Sequence, residues 1–226
     1  ANAVAVAEHT VGMMLAVARR MPLVDREVRQ GHWDVRDRLL GKQLHGTTLG
    51  VVGLGRIGRT VARMCQKAFD MRVVYHDSVH YRELEESIPC EFMSLEELLA
   101  VADVVSIHVP RTPETMGLID EARLGLLKSR AILINAARGG IVDEDALARA
   151  LQEGRIYGAG VDVFEKEPPD PKRPLFAADN AVFTAHMAAH TEEAMMTMSM
   201  VAADVIRVLQ GETPEYPANQ PRRQGA

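Results

Sequence analysis

Residues 50–64 read GVVGLGRIGRTVARM. An apolar, β-branched run leads in, glycines stand at 53, 55 and 58, and a pattern of helical period leads out. That is the order of a strand, a tight turn and a helix. The three glycines serve different ends. Gly53 permits the turn, Gly55 lets backbone approach a pyrophosphate, and Gly58 lets helix and strand pack closely. The start of the helix then presents unpaired N–H groups and a partial positive charge to phosphate oxygens. Spacing alone is weak support, since a glycine-rich surface turn with a nearby acid would satisfy it. The context adds weight: a second apolar run at 72–76 ends on Asp77, 19 residues past Gly58. A carboxylate there accepts hydrogen bonds from the adenosine ribose hydroxyls and repels a 2′-phosphate. The stretch therefore predicts a dinucleotide site that takes NAD in preference to NADP.

Outward from this unit the same alternation continues. Apolar runs occur at 48–53, 72–76, 103–108, 131–135, 157–163 and 181–184, with amphipathic segments at 57–69, 94–101, 121–127 and 144–152. Ser94 and Glu97 make a capping box for the second of these helices. Near-continuous apolar strands separated by helices imply α/β architecture: a doubly wound parallel sheet of Rossmann type with helices on both faces. A final helix is expected over 191–210, stopped by Gly211 and followed by a polar tail with three prolines. The opening segment ANAVAVAEHTVGMMLAVARR has Val4, Ala7, Val11, Met14 and Leu15 at helical spacing. It carries no charged start and cleavage site of a signal peptide.

The length of 226 residues corresponds to one domain with extensions, or one and a half domains. With 47% hydrophobic and 25% charged residues, the chain has the balance of a globular protein, which excludes disordered, collagen-like and disulfide-scaffold classes. The apolar stretches are interrupted too soon for a membrane helix. A net charge of −5 gives no electrostatic basis for binding nucleic acid. Cys65 and Cys90 lack metal-ligand spacing and fit a reducing cytoplasm.

Three later segments fall where strands of such a sheet end, the edge at which ligands bind. ILINAARGGIVDEDAL sets Arg138 just past a strand, where a guanidinium can grip a carboxylate in bidentate fashion. GAGVDVFEKEPP carries Asp162, Glu165 and Glu167, and AVFTAHMAAHTEEA carries His186 and His190. Singly, each has a plain reading as a cap, a solvated loop or a polar helix start. Together, after successive strands of one sheet, they form an acid–base set. A carboxylate beside an imidazole favours its protonated form, as proton donation to a carbonyl requires.

These segments resemble the D-isomer-specific 2-hydroxyacid dehydrogenases, a family that includes phosphoglycerate dehydrogenase, D-lactate dehydrogenase and glyoxylate/hydroxypyruvate reductase. The matching stretches are VAEHTVGMML, TTLGVVGLGRIG, HVPRTPET, NAARGGIVDEDAL, GAGVDVFEKEP and FTAHMAAHT, in family order over nearly the whole chain. The resemblance implies that Arg138 orients substrate, Glu167 is the carboxylate partner and His186 is the acid/base. It implies Arg56 and Ile57 at the pyrophosphate and Asp77 at the ribose. Val109, Pro110 and Thr115 would lie along the adenine and ribose side. Ala136, Ala137 and Ala188 would approach the cofactor, and Asp162 would fix the nicotinamide carboxamide. The substrate implied is a small 2-hydroxy or 2-keto acid, no metal is required, and a homodimer is expected through the opening helix and the Trp33 segment.

The chain departs from the family pattern in places. Ala185 replaces the usual proline before the histidine, Ala188 and Ala189 stand where a glycine pair is common, and His190 is an added histidine, expected at a helix end. Arg111 replaces a commonly apolar residue. Family members also carry about a hundred residues upstream, one small domain's worth. The expected organisation is an NAD-binding domain over 1–190 with a leading crossover helix, and a segment over 191–226 that returns to a substrate domain. Its face of Met195, Met198, Val201, Ala202, Val205, Ile206 and Leu209 would then lack a partner. An NAD-dependent dimerisation module like the C-terminal-binding corepressors, a complete non-catalytic chain and a phosphite dehydrogenase-like enzyme are the alternatives. A formate dehydrogenase lacks support, because the glutamine-rich stretch before the histidine is absent.

Overall fold

Four consecutive buried residues in each of Val104–Ile107, Ile132–Asn135 and Gly158–Val161 can be accommodated only in a sheet covered on both faces. The computed structural model, which describes residues 2–217, has that arrangement. The chain opens with helices α1 (Ala3–Ala18), α2 (Met21–Arg29) and α3 (Val35–Arg38). Strand β1 (Thr48–Val52), helix α4 (Arg56–Phe69), strand β2 (Arg72–His76), helix α5 (Arg82–Ser87), strand β3 (Cys90–Phe92) and helix α6 (Leu95–Val101) form the first half of the sheet. The second half comprises β4 (Val104–Ile107), α7 (Glu121–Leu124), β5 (Ile132–Asn135), α8 (Glu144–Gln152), β6 (Gly158–Val161) and β7 (Ala181–Phe183). Helices α9 (Glu192–Ser199) and α10 (Val201–Leu209) close the chain.

All seven strands are parallel, in the order β3-β2-β1-β4-β5-β6-β7. The order reverses between β1 and β4, which opens a crevice at their carboxyl ends. Alternate residues feed opposite cores. Val51, Val73 and Ile132 meet Val61, Cys65, Met13 and Met14 on one face, while Val52, Val74, Val105 and Leu133 meet Leu98, Leu99 and Leu147 on the other.

The opening helix finds its partner within the chain. α1 buries Ala7, Met13, Met14, Val17 and Ala18 against the sheet and α4, whereas Val4, expected on the apolar face, is exposed. β6 can be so small because α1 lies on it: a Cβ on Gly160 would come within 3.2 Å of the Met13 Cβ. The Ser94–Glu97 capping box forms as expected, with Glu97 N donating to Ser94 Oγ at 3.3 Å and Ser94 N to Glu97 Oε2 at 3.1 Å.

Other elements differ from expectation. Edge strand β3 and helix α5 were not foreseen, and α7 ends at Leu124 instead of running to residue 127. The single helix expected over 191–210 breaks at Met200. Thr197 Oγ1 and Ser199 Oγ donate back to the carbonyls of Glu193 and Met196 at 2.7 and 2.6 Å, a competition that bends helices. Met195, Val201, Val205, Ile206 and Leu209 lie exposed on this pair. Residues 218–226, the last part of the expected tail, fall outside the described residues.

Candidate active site

The carboxyl ends of β1, β4, β5, β6 and β7 converge on a cavity of about 540 Å³. Its wall includes Ile57, Val109, Pro110, Ala136, Ala137, Arg138, Asp162, His186 and Ala188, all proposed from sequence, together with Asn2, Val6, His108, Arg111 and Ala189.

The glycine turn forms one end of this region. Gly53 has φ +97°, a conformation L-residues rarely adopt, and a Cβ there would stand 2.8 Å from the His108 carbonyl carbon. At Gly58 a Cβ would collide with the Gly53 carbonyl oxygen. Gly55 caps α4 without any side-chain hydrogen bond, and its α-carbon faces open space. The first turn of α4, with Arg56 and Ile57, thus leaves its N–H groups unpaired beside a cradle that any side chain would fill. That geometry suits a pyrophosphate. Asp77 is anchored at the mouth of the turn: Leu54 N donates to its Oδ2 at 2.7 Å, and Ser78 Oγ donates to its Oδ1 at 3.2 Å.

His186 and Glu167 meet at the other end. Nδ1 of the imidazole lies 2.8 Å from Glu167 Oε2, and Phe164 N donates to Glu167 Oε1 at 3.0 Å. With Nδ1–H donating to the carboxylate, Nε2 is the nitrogen available to a ligand. Burial pushes the Glu167 carboxyl upward, but the bonds from His186 and Phe164 outweigh it and hold the group below the usual carboxylate range. His186 itself has φ +52°, a strained conformation of the kind that persists when its surroundings over-determine it.

Those surroundings centre on Asp162, which is fully buried. Its backbone carbonyl accepts from His186 N at 2.7 Å. Its carboxylate accepts from Thr184 Oγ1 at 2.5 Å, Met187 N at 2.9 Å and Ala188 N at 3.1 Å. His9 of α1 reaches the same place, with Nε2 3.0 Å from Thr184 Oγ1 and 3.6 Å from Asp162 Oδ1. Burial alone would raise this carboxyl, yet the nearby His9 and the hydrogen bonds from Thr184 and the two amides bring it down to about 2.

Asn135 clamps the turn that carries Arg138: its Oδ1 accepts from Ala137 N at 3.2 Å and its Nδ2 donates to Arg138 O at 3.1 Å. Arg138 is exposed, and its Nη1 donates to Ala137 O at 2.6 Å. Thr115 does not line the cavity; its hydroxyl donates to Pro110 O at 2.6 Å and accepts from Thr112 N at 2.8 Å, fixing the loop that holds Val109 and Pro110. Glu165 lies apart, 3.8 Å from Arg173. His190 is exposed, directly before the α9 cap Thr191.

Sequence reasoning missed several participants. His108 has Nε2 2.8 Å from Ser106 Oγ and a buried Nδ1 without a partner, and burial pushes it down to about 4. A second, mainly apolar cavity of about 390 Å³ lies beyond His186, between Glu167, Pro168, Phe164, Phe176 and Phe183. Asn135 at a strand end, two residues before an amide it can accept from, was a readable signal. The aromatic cavity was not, because its three rings come from separate loops and strands.

A glycine-turn helix start at the switch point of a parallel sheet, with acid, base and guanidinium around one crevice, defines a dinucleotide-binding domain of Rossmann type. The sequence profile of the D-isomer specific 2-hydroxyacid dehydrogenase NAD binding domain matches residues 11–188, and the chain belongs to that family. It is 47% identical over 221 residues to a glyoxylate reductase from Thermofilum pendens, covering 96% of this chain and 65% of that protein. It is 44% identical over 211 residues to a D-3-phosphoglycerate dehydrogenase from Archaeoglobus fulgidus, covering 93% and 40%. The crystal structure of D-lactate dehydrogenase from Aquifex aeolicus complexed with NAD and lactic acid superposes with a TM-score of 0.83 at 36% identity, covering 92% of this chain and 67% of that one. The chain thus spans between two fifths and two thirds of these proteins. NAD is the cofactor of the family domain. Among the described residues no helix is long and apolar enough to cross a membrane, and no cluster could hold a metal ion.

Proposed function

We propose that this chain is the cofactor-binding part of an NAD-dependent dehydrogenase that interconverts small 2-hydroxy and 2-keto acids. The observation that carries the reading is the 2.8 Å contact of Glu167 with His186, whose ring lines the cavity that also presents Arg138. Bound NAD supplies or accepts the hydride. Arg138 holds the substrate carboxylate in a two-pronged grip and aligns the carbon that reacts. In reduction, His186 Nε2 donates a proton to the carbonyl oxygen as negative charge develops there; in oxidation, the neutral ring takes the hydroxyl proton. Glu167 keeps the imidazole in one tautomer and stabilises its charged form.

Gly53, Gly55 and Gly58 shape the pyrophosphate site together with Arg56 and Ile57, and Asp77 reads the ribose. Val109, Pro110 and the Thr115-held loop flank the adenosine end. Ala136, Ala137 and Ala188 allow close approach, and Asp162 secures the nicotinamide end. We assign 1–190 to the cofactor domain and 191–226 to the segment that returns to a substrate domain, with dimerisation through the opening helices and Trp33. The free Cys65 and Cys90 support a cytoplasmic setting.

The test is His186→Ala in the intact protein. Turnover of a 2-keto acid falls about 10²- to 10⁴-fold, the usual contribution of a general acid, while the dissociation constant for NADH is unchanged. Loss of NADH binding in step with turnover would remove His186 from the acid's role.

A further inference from the structure

The backbone of the glycine turn is held from the protein side by more than its own sterics. Gly53 N donates to His76 O at 2.8 Å, and Leu54 N donates to Asp77 Oδ2 at 2.7 Å. The next two carbonyls are both taken by Arg59, in the first turn of α4. Its backbone N donates to Gly55 O at 3.0 Å, the ordinary bond of a helix start. Its side chain turns back toward that start, as long helical side chains do. There Nε donates to Gly55 O at 3.3 Å and Nη2 to Leu54 O at 3.4 Å. Cζ lies 5.8 Å from the centre of the Tyr81 ring, within reach of a cation–π contact. Tyr81 N in turn donates to the Tyr75 hydroxyl of β2 at 3.0 Å. One half-buried side chain thus joins the glycine turn, the start of α4 and the loop that follows Asp77.

In a trans peptide unit the carbonyl and the N–H of the next residue share a plane and point opposite ways. A Leu54 carbonyl held by Arg59 therefore turns Gly55 N to the other side, and a held Gly55 carbonyl does the same for Arg56 N. Neither N–H has an acceptor among the described residues. Both belong to the helix start whose unpaired donors suit a pyrophosphate. Gly55 cannot fix these planes by its own packing, because nothing lies within 4 Å of where its Cβ would be. Glycine also has the freest backbone of any residue. The bonds from Arg59 restrain it instead.

We propose that Arg59 is a positioning residue for the dinucleotide: its guanidinium holds the Leu54 and Gly55 carbonyls so that the Gly55 and Arg56 amides face the pyrophosphate. The inference rests on the placing of NAD at the glycine turn given above, and it gives Arg59 no part in hydride or proton transfer.

The experiment titrates NADH binding to the intact protein by fluorescence and compares Arg59→Met with Arg59→Gln. Met reaches as far as Arg Nε and cannot donate, whereas Gln sets an uncharged N–H donor where Arg has Nε. Arg59→Met raises the dissociation constant for NADH about tenfold, as the loss of one or two modest hydrogen bonds would. Arg59→Gln recovers about threefold of that loss, and the urea midpoints of the two variants coincide. At saturating NADH, kcat with a 2-keto acid stays within about twofold of wild type, the mark of a residue that serves binding alone. An unchanged NADH affinity in Arg59→Met would overturn the proposal. Equal weakening in the Met and Gln variants would overturn it as well, since Arg59 would then act on the phosphates as a charge and not through the turn. Affinities that fall in step with the urea midpoint would leave Arg59 a brace of the fold and also count against it. A wild type that binds NADH but reduces no 2-keto acid defeats the dehydrogenase reading and leaves this binding test in force; one that binds no NADH defeats both.

Discussion

Replacing Asp162 by asparagine removes one charge and almost no volume, and the consequences follow from its four partners. Each carboxylate oxygen accepts one backbone N–H: Oδ1 from Met187 at 2.9 Å and Oδ2 from Ala188 at 3.1 Å. An amide must therefore turn its NH₂ toward one of these donors, whichever way it is flipped. One buried N–H is left facing another donor, a cost of about 1–3 kcal/mol, and the remaining bonds lose their charge assistance. Asp162→Asn should thus lower stability by about 2–4 kcal/mol near neutral pH, read as a shift in urea midpoint at constant m-value.

The pH dependence supplies a second, independent check. The folded-state value of about 2 lies below the ordinary 3.8, so Asp162 contributes stability that is complete above the unfolded value and disappears as pH falls through the folded one. At ~1.4 kcal/mol per tenfold change in proton affinity, that contribution is about 2 kcal/mol. The gap between wild type and Asp162→Asn should be constant above about pH 5 and narrow as pH falls toward about 3 and below. A gap under about 0.5 kcal/mol at neutral pH, the scatter of ordinary surface substitutions, would refute the reasoning. A gap independent of pH would refute the electrostatic part of it alone.

Two further outcomes can be checked. Burial holds His108 neutral, with its value pushed down from 6.5 to about 4; the unfolded chain therefore binds the extra proton first, and stability drops as pH falls between those limits, by up to about 3 kcal/mol. His108→Phe should flatten the stability profile in that window, and an unchanged profile would mean that the ring gains a proton partner on folding. Asp77→Ala should reduce the preference for NADH over NADPH about 10-fold or more, if the carboxylate proposed to accept from the ribose and repel a 2′-phosphate is what sets it; an unchanged ratio in binding measurements would assign the ribose to another residue.

What could be read from the sequence was what is local or periodic. The interior strands were legible because burial on both faces leaves apolar runs with no polar alternation, as in Val104–Ile107. The glycine turn was legible because Gly53, Gly55 and Gly58 answer to sterics within a few residues of one another. β3 was not, since three half-exposed or exposed edge residues carry no period. Nor was the break at Met200, which depends on two hydroxyls bonding backward and not on the apolar pattern that runs through it. At the site, chemical types could be named in chain order from the residues themselves, and the pairing of Glu167 with His186 only through the family resemblance. Glu167 and His186 are 19 residues apart, and only the fold brings Oε2 to Nδ1. His9 lies 175 residues from Thr184, a separation at which no pattern in one sequence signals contact.

That last contact changes the meaning of the opening helix. α1 was expected as a crossover and dimer helix; it also packs on the sheet and carries His9 to the buried carboxylate that positions the His186 loop. Asn2 and Val6 of the same segment stand on the cavity wall. The helix therefore does two things at once: it covers one face of β5 and β6, and it supplies a donor without which a buried Asp162 would hold its charge less well. The geometry proposed for His186 then depends on a residue of the opening helix, His9, as well as on Asp162 and Thr184. A dinucleotide fold without α1 would uncover one face of its sheet and lose the support beneath the acid proposed at His186.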